Sequence, residues 1–472
     1  MEKDAIVVGS GPNGFAAAIT LAQAGLSVML IEGKETLGGG MRSQELTLPG
    51  FIHDVCAAVY PLGRGSPFFN QLDLENLEWV TPSIPLAHPL ENSDAVVLEK
   101  DLTTTIKSLG EDGYSYAYLI EPLASQWDAL ANDILGPLRI PKHPWAMLRF
   151  AFYALQPATL LAKKLFKEPR TRSLFAGLAA HGVLPLDRSL TSAYGIILGA
   201  LAHKVGWPFP KGGAQNLTNA LAKFFVSLGG EIVTGLTINR LDQLPPSKVI
   251  MMDVTPRQLL KIAGDLFPKS YQRQLQAYRY GPGIFKMDWA LSSPIPWKNK
   301  QCSEAGTIHL GGDEQEIMLS LKELWQNQHS QKPYIILSQP SLFDKSRAPK
   351  DQHIAWGYCH VPHGSTVNMS EIIENQIERW APGFKDCILA KSVKNSKDME
   401  IYNPNYIGGD INGGVQDLYQ LFTRPTKRIV PYKTPIDNLF ICSSSTPPGG
   451  GVHGMCGFHA AKVALKFLNY KF

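Results

Sequence analysis

The stretch DAIVVGSGPNGFAAAITLAQAGLSVMLIE, residues 4–32, decides the fold of this chain. Residues 5–8 form a short apolar run, which is typical of a parallel strand buried on both faces. A glycine-rich turn follows, and the sequence after it predicts a helix over about residues 13–24. Residues 27–31 are a second apolar run that predicts a second strand. The order strand, turn, helix, strand indicates the first βαβ unit of a parallel sheet.

The turn in this unit has the pattern G-x-G-x-x-G, formed by Gly9, Gly11 and Gly14. The first glycine permits a tight turn, the second lets the backbone approach a pyrophosphate, and the third lets the helix pack closely on the strand. Glu32 ends the second strand, where a carboxylate can accept hydrogen bonds from a ribose. The spacing therefore predicts a dinucleotide site. Its predicted residues are Gly9, Gly11, Pro12, Asn13, Gly14, Glu32 and Gly33.

A second glycine cluster, residues 38–40, lies shortly after Glu32. Large FAD-binding folds use glycines at this offset to let the chain cross over the phosphates and ribityl of the cofactor. No second G-x-G-x-x-G directly follows an apolar run, and the chain has no C-x-x-C pair, which excludes the two-dinucleotide disulfide reductases. These patterns favour FAD over NAD(P). The contacts predicted for this crossover are Gly38, Gly39, Gly40 and Ser43, ahead of Arg42.

Residues 445–461, STPPGGGVHGMCGFHAA, place a proline pair and three glycines before an apparent helix start. Glycines in such a turn allow close backbone approach to a ligand. The helix that follows would direct the positive end of its dipole toward the turn. This stretch is therefore expected to close the cofactor site that the N-terminal glycines open.

Composition and charge limit the classes of function. The 472-residue chain has a formal net charge of +4, which does not indicate a nucleic-acid partner. Its six cysteines are scattered, and the group Cys359, His360 and His363 has a spacing that indicates a strand and loop rather than a metal site, so no metal is predicted. The N-terminus leads directly into a strand, and the longest apolar stretch, residues 15–31, is interrupted by polar residues. We expect a cytoplasmic protein.

Several segments together resemble the superfamily of FAD-dependent amine oxidases and phytoene desaturases. Within it, the chain is similar to the branch of bacterial phytoene dehydrogenase-like oxidoreductases and pyridine nucleotide-disulfide oxidoreductase domain-containing proteins. The resemblance covers nearly the whole chain. The segments that carry it are GSGPNGFAAAITLAQAG (9–25), PKGGAQNLTNALAKFFVSLGGEI (210–232), YRYGPGIFKMDWALSSPIPW (278–297), AGTIHLGG (305–312), NYIGGDINGG (405–414) and PPGGGVHGMCGFHAA (447–461).

The resemblance implies an α/β fold with two domains. One is a discontinuous, glutathione reductase-like Rossmann-type FAD-binding domain formed by residues 1–75, 205–265 and 425–472. The other is an α+β substrate domain with a mixed sheet and a helical lid, formed by residues 76–204 and 266–424. Relatives add a hairpin before the strand expected at residues 249–254, and this region is abbreviated here.

The resemblance also implies further contacts to the cofactor. A strand that includes residues 232–238 would contact adenine through the backbone of Ile238. Ser443 would lie near the pyrophosphate, and Gly450, Gly451, Val452 and His453 beside the flavin. His453 is the one candidate catalytic residue, as a proton donor or hydrogen-bonding group; the alternative is a histidine that only packs at the helix start.

The function implied is that of a phytoene desaturase-like, FAD-dependent oxidoreductase. It would abstract hydride from an apolar small-molecule substrate, with isoprenoid or lipid-like molecules as candidates, and pass electrons to oxygen, a quinone or another acceptor. Two alternatives stay open: a flavin amine oxidase, and a flavin-binding regulatory protein with little catalysis.

Residues 136–172 combine eight Lys or Arg residues and one acid with many large apolar side chains. This basic amphipathic stretch could contact an anionic membrane surface through residues 138–172, or it could be a helical lid over the active site. The two interpretations are compatible. Further strands are expected at residues 285–291, 334–343 and 353–362.

Overall fold

The computed structural model describes residues 2–75, 77–91 and 93–470. Its strands are β1 (Lys3–Val8), β2 (Val28–Ile31), β3 (Ser43–Glu45), β4 (Ile52–Asp54), β5 (Trp79–Val80), β6 (Ile84–Leu90), β7 (Ser93–Leu98), β8 (Phe209–Pro210), β9 (Glu231–Val233), β10 (Ser247–Met252), β11 (Gly283–Leu291), β12 (Ala305–Leu310), β13 (Ile335–Ser338), β14 (His353–Val361), β15 (Ile388–Lys394) and β16 (Leu439–Ile441).

The helices are α1 (Pro12–Gln23), α2 (Pro61–Arg64), α3 (Pro67–Asn70), α4 (Leu102–Ser108), α5 (Gly113–Ser125), α6 (Trp127–Ile134), α7 (Pro144–Ala154), α8 (Ala158–Leu165), α9 (Pro169–Ala180), α10 (Thr191–Lys204), α11 (Ala214–Ser227), α12 (Pro256–Ala263), α13 (Lys269–Gln276), α14 (Glu314–Trp325), α15 (Ser370–Trp380), α16 (Ser396–Tyr402), α17 (Leu418–Thr423) and α18 (Met455–Phe467).

A five-stranded parallel sheet contains the N-terminal unit. Its strand order is β16-β10-β1-β2-β9, so its strands come from three separate parts of the chain. Ala5 and Val7 face a core that includes residues of α1, α11 and α18, while Ile6 and Val8 face a second core with residues of α12 and α13. The continuous apolar run of β1 follows from this burial on both faces.

Helices α1 and α18 pack against each other at a glycine. Gly457 lies in the first turn of α18, and a β-carbon there would overlap the carbonyl oxygen of Asn13 and approach the backbone nitrogen of Ala17 to 2.9 Å. The two helix N-termini therefore meet, and the two glycine-rich stretches at opposite ends of the sequence come together in space.

A seven-stranded mixed sheet has the order β15-β11-β14-β13-β12-β6-β7. The β12–β6 pair is parallel and the other pairs are antiparallel. One face packs on α15 through a core that includes Trp289, Ile373 and Trp380. The other face contributes Leu86, Ile336 and other residues to the large core shared with α9, α10 and α14. The two sheets confirm the predicted α/β fold class, and the exact domain boundaries stay a prediction.

The sequence-based strands differ from the observed ones in two places. The strand expected through residue 238 ends at Val233, because Gly235 adopts a φ of +71° and its N–H donates to the carbonyl of Lys34. The strand expected over residues 334–343 ends at Ser338, before a 3₁₀ turn that begins at Pro340. Residues 285–291 and 353–361 are strands as predicted. The strand expected at residues 249–254 is β10, which begins and ends two residues earlier, at 247 and 252.

Candidate functional site

A cavity of about 1290 Å³ extends from the end of the parallel sheet to the inner face of the mixed sheet. Fourteen of the predicted cofactor residues line it: Gly9, Gly11, Pro12, Asn13, Glu32, Gly33, Gly39, Gly40, Ile238, Ser443, Gly450, Gly451, Val452 and His453. Residues far apart in the sequence therefore form one wall. The other three predicted residues, Gly14, Gly38 and Ser43, lie outside the lining.

Gly14 and Gly38 serve close packing behind the cavity wall. A β-carbon at Gly14 would overlap the carbonyl oxygen of Gly9, which is the helix–strand contact expected of the third glycine in the motif. Gly38 has a φ of +116°, and a β-carbon there would lie 2.5 Å from Oγ1 of Thr218. Ser43 has a different use: its hydroxyl donates to Oδ1 of Asp54 at 2.7 Å and accepts from the N–H of Gln215 at 3.1 Å.

Glu32 ends β2 at the cavity with its carboxylate fixed by neighbouring donors. Oε2 accepts from the N–H of Ser10 at 3.0 Å and from the Ser10 hydroxyl at 2.5 Å, and Oε1 accepts from the N–H of Lys34 at 3.0 Å. A carboxylate oxygen can accept more than one hydrogen bond, so Glu32 retains acceptor capacity toward the cavity. The position fits the predicted ribose contact.

Arg42 stabilises the crossover loop. Its guanidinium donates to the carbonyls of Thr36, Leu37 and Gly39, and Nη2 lies 3.4 Å from Oε1 of Glu32. The ring of Tyr402 lies over the guanidinium, at 5.5 Å. Most of its donors are therefore used within the protein, which explains why the loop holds its shape around Gly39.

Asp253 is a site residue that the sequence reasoning missed. It follows β10, and its Oδ2 accepts a hydrogen bond of 2.9 Å from the N–H of Gly14 in the first turn of α1. The pKa of this carboxyl is raised to about 7, mainly by burial and also by the nearby Glu32, against the opposing effect of the Gly14 hydrogen bond. A signal for it was present, since ligands bind at the carboxyl ends of parallel strands and Asp253 directly follows one.

The C-terminal turn places His453 in the cavity wall as a buried, neutral imidazole. Nδ1 accepts from the N–H of Met455, the first residue of α18, at 3.0 Å, and the His453 carbonyl accepts from the hydroxyl of Ser66 at 2.5 Å. Burial lowers the pKa of His453 to about 4, although the backbone of Gly450 and Gly449 opposes this shift. The ring thus caps the helix that follows it.

Arg424 is the second residue that sequence reasoning missed, and no local motif marks it. Its side chain is almost fully buried and lines the cavity. Nη2 donates to the carbonyl of Ser444 at 2.8 Å and to the hydroxyl of Tyr278 at 3.1 Å, while Nη1 has no hydrogen-bond partner. Among the described residues no carboxylate forms an ion pair with it within 4.0 Å, and the buried carboxylate of Asp410 attracts it only from farther away. Because a buried cation without a close counter-ion is costly, this guanidinium favours an anionic ligand.

Several other polar residues have structural partners. The carboxylate of Asp410 accepts from the N–H groups of Gly281, Asn412 and Gly414, which is turn chemistry. Nε2 of His459 lies 3.1 Å from the carbonyl oxygen of Leu135. Cys359 packs in the core behind the mixed sheet, whereas His360 faces the cavity from the opposite face of β14. In the described part of the chain no group of three or more His, Cys, Asp or Glu residues is arranged to hold a metal.

Apolar residues form the walls farther from the glycines. They come from α7, α10 and their neighbours: Met147, Phe150, Ala151, Leu155, Ile197 and Leu198. Within residues 136–172 the helices are α7 (Pro144–Ala154), α8 (Ala158–Leu165) and the start of α9. The cavity therefore has a polar end beside the glycine loops and a long apolar middle.

Comparison with known proteins agrees with this arrangement. Residues 7–72 match the NAD(P)-binding Rossmann-like domain. The pyridine nucleotide-disulfide oxidoreductase domain-containing protein 2 of Rattus norvegicus is 22% identical over 99% of this chain and 94% of its own length. The lycopene-forming phytoene desaturase of Pantoea ananas is 21% identical over 98% of this chain and 99% of its own length. The chain is homologous to phytoene desaturase-like enzymes.

The chain also shares its fold with a solved oxidase. Wild-type putrescine oxidase, solved with putrescine bound, superposes with a TM-score of 0.62 at 15% identity, over 99% of each chain. The homology confirms the predicted class of oxidoreductase and the Rossmann-like dinucleotide-binding domain. None of the helices in the described part of the chain is long and apolar enough to cross a membrane.

Proposed function

We propose that this phytoene desaturase-like protein is an FAD-dependent dehydrogenase or desaturase that removes hydride from an apolar substrate. The observation that carries the proposal is the continuity of the cavity. It is lined at one end by the N-terminal and C-terminal glycine stretches and continues between the apolar side chains of α7 and α10. A dinucleotide cofactor and an apolar substrate would then share one space.

The residues at the polar end fit FAD. The N-terminus of α1 faces the cavity through Gly11, Pro12 and Asn13, and a helix N-terminus stabilises phosphate. The side-chain Oδ1 of Asn13 is buried without a hydrogen-bond partner, and so is Nη1 of Arg424. A dinucleotide offers both donors and anionic oxygens that could satisfy these atoms. FAD, when bound, would supply the hydride acceptor of the reaction.

The protein's own residues would bind and orient the cofactor and shield the reacting atoms from water. Glu32 would accept from a ribose hydroxyl, and the glycines at 450 and 451 would let the backbone approach the flavin. Arg424 would stabilise negative charge at the cofactor, since its buried guanidinium has no carboxylate partner in the described residues. The apolar walls of α7 and α10 would exclude water from the reacting atoms.

The visible spectrum of the purified protein tests the cofactor. We expect a flavin spectrum, or its appearance on reconstitution with FAD, and a protein that stays colourless after reconstitution would overturn the proposal. Anaerobic photoreduction followed by a screen of oxygen, quinones and other acceptors tests the activity. A flavoprotein that no acceptor reoxidises would favour the regulatory alternative.

A peripheral contact with an anionic membrane is the second part of the proposal. Leu138, Ile140 and Trp145 are 82%, 93% and 82% exposed. They lie beside the basic residues Arg139, Lys142 and Arg149, and Leu138 also belongs to the cavity lining. An exposed apolar patch with flanking cations suits the interface of an anionic bilayer and would place the cavity mouth next to it.

Flotation with phosphatidylglycerol vesicles tests this contact. We expect the wild type to float with the vesicles and the triple variant L138S/I140S/W145S to remain in the bottom fraction. The matched control is L319S/I401S, because these two side chains are also exposed, at 55% and 63%, but do not line the cavity. Equal flotation of all three proteins would rule the membrane contact out.

A further inference from the structure

The inner face of the mixed sheet carries polar side chains where the cavity ends. Thr307 on β12 pairs with Ser338 on β13, which pairs with Trp356 on β14. Residues paired across strands point to the same face, and His360 follows Trp356 by four positions on that face. Thr307, Trp356 and His360 all line the cavity.

Each of these side chains has a polar atom that lacks a hydrogen-bond partner. The atoms are Oγ1 of Thr307, Nε1 of Trp356 and Nδ1 of His360, and all three are buried. A buried polar atom without a hydrogen-bond partner destabilises the folded protein. Three such atoms along one cavity wall indicate that a ligand or water supplies their missing hydrogen bonds.

His181 adds a fourth polar group from the opposite side. It directly follows α9, lines the cavity, and its Nε2 lies 2.9 Å from Nε2 of His309. Only one nitrogen of this pair can donate to the other, so the pair shares one proton between the rings. We call Thr307, Trp356, His360 and His181 the inner polar cluster.

The inner polar cluster is electrically neutral. Burial lowers the pKa of His181 to about 3 and that of His360 to about 4. The ammonium of Lys286 lies 5.7 Å from the centroid of the Trp356 ring, but it is paired with the carboxylate of Asp288. A carboxylate or ammonium on a ligand would therefore find no free counter-ion in the cluster, and its burial would be costly.

We infer that the inner polar cluster binds a hydroxyl or carbonyl oxygen of an otherwise apolar substrate. This inference rests on the proposed function, because it takes the cavity to be the substrate site. It narrows the substrate class to oxygenated apolar molecules such as long-chain or terpenoid alcohols, aldehydes and ketones. Pure hydrocarbons would leave the cluster without partners, and fatty-acid anions and amines would bring an uncompensated charge.

Binding of four probes with one shared chain tests the inference. The probes are 1-decanol, decane, decanoate and decylamine, added to the purified protein as it exists with its cofactor and followed by tryptophan fluorescence. Two new hydrogen bonds predict an affinity for decanol roughly tenfold or more above that for decane. Decanoate and decylamine should bind more weakly than decanol. Equal affinities for decanol and decane, as expected if water satisfies the cluster, would overturn the inference.

Variants that remove the polar atoms of Thr307 and Trp356 locate the effect. We expect T307V and W356F to lose most of the preference for decanol over decane. T171V and W380F are matched controls, because Thr171 and Trp380 also bury an unpartnered hydroxyl and indole N–H but do not line the cavity. A preference that survives in both cavity variants, or is lost equally in the controls, would refute the assignment. Because binding is measured without turnover, a protein with a flavin spectrum but no preference for decanol would refute this inference alone.

Discussion

The carboxylate of Asp253, at the end of β10, accepts a hydrogen bond of 2.9 Å from the backbone N–H of Gly14 in the first turn of α1. A β-carbon at Gly11 would lie 2.9 Å from the same Oδ2 atom. An acid therefore caps the helix N-terminus that the G-x-G-x-x-G motif presents to a phosphate. In this position a negative charge on Asp253 would act on any phosphate bound there.

Flavin affinity should depend on pH through Asp253. Its pKa is about 7, raised mainly by burial and further by Glu32, so the group is neutral in mildly acidic solution and anionic above neutrality. An ionised carboxylate would repel the pyrophosphate, so we expect the affinity for FAD to fall as pH rises from 6 to 8, by at most about tenfold per unit. The folded-state pKa is raised, so without cofactor the protein should also lose stability as pH rises from about 4 to about 7.

Titration calorimetry of the apoprotein with FAD at several pH values measures this dependence. D253N should bind FAD with little change in affinity between pH 6 and 8. D112N is the control, because Asp112 is also buried and accepts the N–H groups of Lys167 and Glu168, but lies outside the cavity lining. A wild-type affinity that is constant over this pH range would contradict the prediction.

Substitution of Gly457 should separate α1 from α18. A β-carbon there overlaps the carbonyl of Asn13, so G457A must move one of the two helices, and a forced contact of this kind costs about 1–3 kcal/mol. We expect a lower melting temperature together with a lower flavin content. G264A provides the comparison, because the nearest atoms there lie 3.8 Å away, and it should behave as the wild type. Normal flavin content in G457A would show that the two glycine stretches need not be held together.

The buried pair Arg347–Asp54 should stabilise the fold around β4. Nη2 of Arg347 lies 2.8 Å from Oδ2 of Asp54, and both side chains are almost completely buried. R347M leaves the carboxylate without its cation, so we expect a loss of about 3–5 kcal/mol in the free energy of unfolding, measured with urea. The exposed pair Arg240–Asp242 serves as control, since R240M should change little. Equal stability of R347M and the wild type would disprove the role of this pair.

Arg424 should tune the reduction potential of the bound flavin. A buried cation favours the more negative, reduced form of the cofactor, so R424Q should lower the potential, measured by dye-coupled reductive titration. R424K keeps the positive charge, so its reduction potential should lie close to that of the wild type. An unchanged potential in R424Q, with flavin fully bound, would place the guanidinium away from the redox centre.

His453 should act by capping α18 rather than by proton transfer. Its pKa of about 4 keeps the ring neutral over the working pH range, and Nδ1 is used by the N–H of Met455. H453N retains an acceptor for this N–H and should reduce its flavin at nearly the wild-type rate. H453L removes the cap and should lose about 1 kcal/mol of stability. A large rate loss in H453N at normal flavin content would instead support the role of His453 as proton donor.

Local sequence patterns were enough to predict the strands and helices whose formation depends mainly on residues close to one another in the sequence. The strand, glycine turn and helix of residues 3–23 follow from apolar runs and three glycines, and β11 and β14 follow from their apolar composition. The prediction of a strand beyond Val233 was wrong because Gly235 turns the chain toward the loop after β2. Local strand propensity contains no information about this contact.

The sequence by itself determined the class of fold, the dinucleotide motif and the two glycine stretches, because each depends on backbone conformations that only certain residues adopt. Tertiary structure alone decided which side chains face the cavity. It placed Asp253 and Arg424 in the cavity wall, turned Ser43 toward Asp54, and aligned Thr307 with Trp356 across three strands. These outcomes depend on strand register and burial, which bring together residues from different strands and helices and set the energetic cost of every polar atom left without a partner.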